Sequence, residues 1–140
     1  MNRLISFCLV LGCASLAFGQ LAPDAGLALS EAYPQVQFFA EGGRTAQVYG
    51  TTFSYGPSAV QSADSFVRSS SSLFGVQAGD LQPGTANDGQ YTQPLLYDEV
   101  TGAYKGMMVS YRQYKEGIPV YGADVRMLVV NEPPYPLVLA

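Results

Sequence analysis

Alternation of apolar and polar positions, the period-two signature of a half-buried strand, dominates this chain. In "YPQVQFFAEGGRTAQVYGTTFSYGPS" two strand-like runs flank a Glu41-Gly42-Gly43 turn. The second puts Tyr49, Thr51, Phe53 and Tyr55 on one face and Val48, Gly50, Thr52 and Ser54 on the other. From Tyr91 onward the pattern is sheet again: a run over Tyr91–Tyr97, a Glu99–Gly102 turn, then a long strand from Ala103 to Lys115. Met107, Val109 and Tyr111 form an apolar row on that strand. One segment breaks the pattern. In "AVQSADSFVRSSSSLFG" residues Ala63, Phe66, Val67, Ser70 and Phe74 recur at helical spacing, with Ser58 as the candidate N-cap and Gly75 as the stop. Burying Phe66, Val67 and Phe74 is worth roughly 1.5–3 kcal/mol each. A short helix with this many serines does not stand alone in water, so it must pack on the sheet. The Ser69–Ser72 run then reads as its polar end. "VQAGDLQPGTANDGQY" is turn-rich, Asn87-Asp88-Gly89 being its strongest turn signal.

The segment "YRQYKEGIPVYGADVRML", residues 111–128, raises a question, because a proline lies inside an apparent strand. With Glu116-Gly117 as a two-residue loop, Lys115 pairs with Ile118, Tyr114 with Pro119, Gln113 with Val120 and Tyr111 with Gly122. The 115/118 pair is hydrogen-bonded and the next is not, so Pro119 removes a donor the hairpin never used. It also blocks the outer edge at that point. In this register Ile118 and Val120 join the face of Met107, Val109 and Tyr111. Beyond Gly122 the apolar phase moves to Ala123, Val125, Met127 and Val129, which predicts a bulge or bend at the glycine.

Composition narrows the function classes. Met1-Asn2-Arg3, an apolar stretch from Leu4 to Leu16, and Ala17-Phe18-Gly19 give residues 1–19 the layout of a secretory signal peptide. Val10-Leu11-Gly12-Cys13 offers an alternative, a lipobox with Cys13 lipidated, which would make the protein a lipid-anchored envelope protein. Residues 20–34 read as a flexible leader and 35–140 as one domain. Both cysteines, Cys8 and Cys13, lie in the signal, and the chain has no histidine. Serine–histidine and cysteine–histidine catalysis therefore have no residues to use, and zinc loses its usual ligands. The expected class is non-catalytic, with no cofactor and no metal site. Without Arg3, six basic residues face eleven acidic ones, a net charge of about −5. The basic residues do not cluster, which argues against a nucleic-acid partner.

The hairpin resembles the signature of the fungalysin/thermolysin propeptide (FTP) domain family: an apolar strand ending in Gln and an aromatic, a Gly turn, then a hydrophobic-Pro-Val-aromatic-Gly-Ala strand. Gln113, Tyr114, Gly117, Ile118, Pro119, Val120, Tyr121, Gly122 and Ala123 occupy those places, with Tyr111 just ahead of them. "SFVRSSSSLFGVQAGDL" is similar to the helix and "LFG" segment that precede the hairpin in such propeptides, and the resemblance spans about residues 45–130. It implies an α+β fold, a cystatin/PepSY-like module with one main helix packed on a curved antiparallel sheet. It also implies a pro-segment of a secreted zinc metallopeptidase, assisting the protease's folding and blocking its cleft. The partner would then be a metallopeptidase domain in cis. The sequence departs from the full precursor in having no His-Glu-x-x-His motif, and "PYPLVLA" looks like a strand interrupted. The expectation is a fragment of a longer precursor. Two other readings stand beside it: a free-standing extracellular module that binds a protein by strand addition, and a structural N-terminal region of a larger cell-surface protein.

Overall fold

A computed structural model describes residues 23–84 and 91–140. The expected signal peptide, Cys13 and the expected turn at Asn87-Asp88-Gly89 lie outside the described residues. Strands β1 (Gln37–Glu41), β2 (Arg44–Ser54), β3 (Leu81–Pro83), β4 (Thr92–Asp98), β5 (Ala103–Lys115), β6 (Ile118–Val130) and β7 (Leu137–Leu139) form one antiparallel sheet. Its order is β1-β2-β7-β6-β5-β3, with β4 sharing the outer edge of β5. Helices α1 (Pro23–Ala32) and α2 (Ala59–Ser70) and two 3-10 turns, Ser71–Phe74 and Ala78–Asp80, complete it. Among the described residues no helix is long and apolar enough to cross a membrane.

The expected architecture, one main helix on a curved sheet of the cystatin/PepSY-like kind, is corrected by this arrangement. A seven-stranded sheet dominates, and it carries two α-helices. The chain reaches this size because β7 wedges between β2 and β6, while β3 and β4 divide the long β5 edge between them. The segment expected to be a flexible leader also differs: α1 occupies most of it, and Leu29, 9% exposed, joins the core. Tyr33, just after α1, donates from its hydroxyl to the Phe53 carbonyl at 3.3 Å.

Helix α2 starts where the sequence places it. Ser58 has extended backbone and its hydroxyl accepts from the Gln61 amide at 3.3 Å. The amphipathic face buries Ala63, Phe66 and Val67, and α2 lies across β2, β5, β6 and β7. The helical spacing breaks at Ser71, where the backbone tightens to 3-10. Three residues per turn carry Leu73 into the core and leave Phe74 half-buried, although the 3.6-residue period favours Phe74. Phe66 makes edge-on contacts with Phe53 at 5.7 Å and Phe74 at 6.4 Å between centroids. The serines are mostly satisfied within the helix: Ser65 donates to the Gln61 carbonyl and Ser69 to the Ser65 carbonyl. Ser62 is fully buried, its carbonyl accepting from the Ser54 hydroxyl at 2.8 Å, which ties α2 to β2.

Strand β2 departs from simple alternation. Val48 and Phe53 sit on opposite faces by period two, yet both are buried. The register against β7 shifts between Tyr49 and Ser54, and Gly50, at φ +95°, lies in that interval. The bulge changes the phase of the strand, so both apolar residues enter one core cluster, Phe53 against Phe66 of α2. A Cβ at position 50 would stand 2.7 Å from the Gln35 carbonyl oxygen, so the position requires glycine twice over.

Candidate functional site

The β5–β6 hairpin is the spine of the candidate site. Glu116 and Gly117 both have positive φ, +51° and +79°, as a two-residue turn of the primed type requires. Lys115 pairs with Ile118 and Tyr114 with Pro119, the expected register next to the turn. Farther down the hairpin the register changes. Tyr111 faces Val125 and Arg112 faces Asp124, not the Tyr111–Gly122 pair of an unbroken ladder, and the shift falls between Arg112 and Tyr114. Gly122, at φ +68°, sits on the bulged strand opposite that shift. The change of apolar phase in the sequence is therefore a real irregularity of the backbone. The core does not reach the turn end of the hairpin: Ile118 does not join the core with Val109 and Tyr111 but is 69% exposed, and Val120 is half-buried.

The signature residues divide into three groups. Tyr111 is a core residue, 3% exposed, and its hydroxyl donates to the Asp64 carboxylate on α2. Burial first, and that carboxylate second, push the phenol well above the usual tyrosine range. Gln113 and Ala123 line a cavity beside the hairpin. The remainder, Tyr114, Gly117, Ile118, Pro119, Val120, Tyr121 and Gly122, form the projecting tip, where Tyr121 is 97% exposed. Lys115 braces the tip's base through an ion pair with Asp80 in the second 3-10 turn.

The cavity, about 570 Å³, lies beside the end of β7. Strand β7 is antiparallel to both β2 and β6, with Leu139 facing Tyr49 on one side and Leu128 on the other. Val48 and Ala140 exchange two main-chain hydrogen bonds, at 2.7 and 3.1 Å. Residues 44–47 of β2 and 123–126 of β6 line the cavity next to Leu139 and Ala140. Phe74, Val76, Leu81 and Val125 contribute apolar lining. The charged lining residues are Arg44, Arg126 and Asp124. Among the described residues neither arginine has an ion-pair partner, and Asp124 Oδ1 is buried with no hydrogen-bond partner. Arg112 Nε, on the residue facing Asp124 across the hairpin, is buried and unpartnered as well.

These residues escaped the sequence reading because the two walls are some eighty positions apart, and no local period joins them. Only the unusual Asp-Val-Arg run, charges inside an apolar strand, hints at them. Among the described residues no group of three or more His, Cys, Asp or Glu is placed to hold a metal ion. Comparison of the chain with protein-family models, with curated proteins and with solved structures finds no match.

Proposed function

We propose that this protein is a non-catalytic binding module that acts outside the cell on a partner protein, the partner being a secreted zinc metallopeptidase domain. In this reading the module assists folding of that domain and obstructs its cleft. The hairpin signature supplies the partner class, and the signal-like segment supplies the compartment. The observation that carries the contact is the exposure of two large apolar side chains, Ile118 at 69% and Tyr121 at 97%, on one two-stranded hairpin. A soluble surface gains nothing from such residues unless they are buried against something, and tyrosine is enriched among residues that dominate binding energy. The chain's lack of histidine fits a protein that obstructs chemistry done elsewhere.

The test is refolding of a denatured thermolysin- or fungalysin-type catalytic domain with and without the full chain. The expected result is faster recovery of the folded protease together with inhibition of peptide hydrolysis. Both effects should fall at least tenfold in an I118S/Y121S double variant, whose exposed positions leave folding of the module intact. Unchanged refolding and unchanged hydrolysis over a panel of such proteases would sink the reading.

A further inference from the structure

We infer that Glu116, in the turn of the β5–β6 hairpin, is the side chain this module presents to the catalytic zinc of its partner. Glu116 acts within the metallopeptidase contact proposed above, on which this assignment rests, and its role is separate from the apolar contact of Ile118 and Tyr121.

Ligand chemistry narrows the choice first. Proteins hold zinc through cysteine thiolates, histidine imidazoles and carboxylates. This chain has no histidine, and both cysteines lie in the expected signal peptide, so a carboxylate is what the module has to offer. From Tyr111 to Ala123, the stretch that holds the signature residues, Glu116 is the one acidic residue. It stands in the two-residue turn at the end of the hairpin, next to the exposed Ile118. Its neighbour Lys115 is engaged by Asp80, and among the described residues Glu116 itself has no ion-pair partner.

The backbone of the turn points the same way. Glu116 has φ +51°, a conformation that asparagine, aspartate and glycine adopt at the least cost. Aspartate would keep the negative charge and suit the turn better. Glutamate gives up that fit and carries its carboxylate one methylene farther from the main chain. Residues held in such sparsely populated conformations cluster at binding and switch sites. Reach has a use here, because a catalytic zinc keeps three protein ligands and leaves a fourth position open to water. The Glu116 carboxylate takes that position by donating an oxygen lone pair, and the water leaves. Ile118 and Tyr121 then lie against the walls of the cleft.

The test titrates the full chain against a thermolysin-type catalytic domain in its zinc, zinc-free and cobalt-substituted forms, followed by fluorescence anisotropy. The wild-type chain should bind the zinc form about tenfold more tightly than the zinc-free form. Glu116→Gln should bind both forms alike, about tenfold more weakly than wild type binds the zinc form. Glu116→Cys supplies a thiolate in place of the carboxylate and should restore the preference for the zinc form, which a purely structural role for residue 116 would not do. On the cobalt-substituted domain, visible absorption should change when wild type is added and stay unchanged with Glu116→Gln. The side chain is exposed, so denaturant unfolding of both variants should match wild type. Equal affinity for the zinc and zinc-free forms, or a Glu116→Gln chain that binds as tightly as wild type, overturns the assignment and leaves the apolar contact standing. An I118S/Y121S chain that binds more weakly but still changes the cobalt spectrum at saturation supports it. A wild-type chain that binds no form of the domain overturns the assignment together with the metallopeptidase reading.

Discussion

Replacing Gly50 with alanine tests the structural claim on which the whole sheet depends. Gly50 lies in the bulge that lets Val48 and Phe53, on opposite faces of a regular strand, both reach the core. Two costs add at this position. Its φ of +95° lies outside the regions an L side chain occupies comfortably, about 2 kcal/mol for a non-glycine residue. The new Cβ would also meet the Gln35 carbonyl oxygen at 2.7 Å, and because that atom is main chain, relief means moving the segment ahead of β1, at least about 1 kcal/mol more. The expected loss is about 3 kcal/mol, a large share of the 5–15 kcal/mol typical of a domain. At about 4 °C per kcal/mol this lowers Tm by roughly 12 °C. Urea denaturation followed by circular dichroism should show an earlier midpoint with the slope unchanged. Gly79→Ala is the control: its φ is not positive and nothing lies within 4 Å of the new methyl, so stability should stay within about 0.5 kcal/mol. If Gly50→Ala costs no more than that control, the bulge tolerates a side chain and the account of how β2 buries both Val48 and Phe53 is wrong.

Phe66→Ala should cost about 3–5 kcal/mol, since the side chain is 1% exposed and sits between Phe53 and Phe74; a loss under about 1 kcal/mol in denaturant unfolding would place α2 off the sheet. Tyr111→Phe removes the donor to Asp64 and should cost about 1.5 kcal/mol, measured in the same way. Because the Tyr111 phenol is held above its ordinary value by burial and then by Asp64, its contribution to stability is full below about pH 10, and it is lost as pH rises toward the folded value. Phenolate absorbance during an alkaline titration should therefore show one tyrosine lagging the others, and a lag that persists in Tyr111→Phe would refute the assignment. Asp98 has the opposite sign. Its carboxylate accepts from the Val100 amide at 2.9 Å and the Thr101 hydroxyl at 3.0 Å, which lowers its pKa. The turn between β4 and β5 should stay ordered above the ordinary carboxylate value, about 3.9, and loosen only as pH falls through the lower folded value. Asp98→Ala should speed exchange of the Val100 amide at neutral pH, and unchanged exchange would show that the turn does not depend on this carboxylate.

Elements whose information is local were legible in the chain. Helix α2 shows itself by Ser58, by the Ala63, Phe66, Val67 spacing and by its need for a sheet to cover it. The β5–β6 turn shows itself by Glu116-Gly117, and the phase shift at Gly122 announces a bulge before any coordinate is known. What went astray locally was phase. The 3-10 tightening at Ser71 moved burial from Phe74 to Leu73, and Ile118, in its expected register opposite Lys115, lies next to the turn and is exposed. Helix α1 was missed because its periodicity is weak and its order comes from docking Leu29 on the core.

The strand order belonged to the tertiary structure alone. Nothing near Leu137 says that β7 must enter between two strands that lie far away in the chain, because pairing energy between distant segments leaves no periodic mark on either. The cavity beside β7 follows from that insertion: Arg44 of β2 and Arg126 of β6 line one space because β7 pairs with both strands. Side-chain patterning determined which residues become strand, helix and turn; long-range backbone pairing decided which of them face a common space.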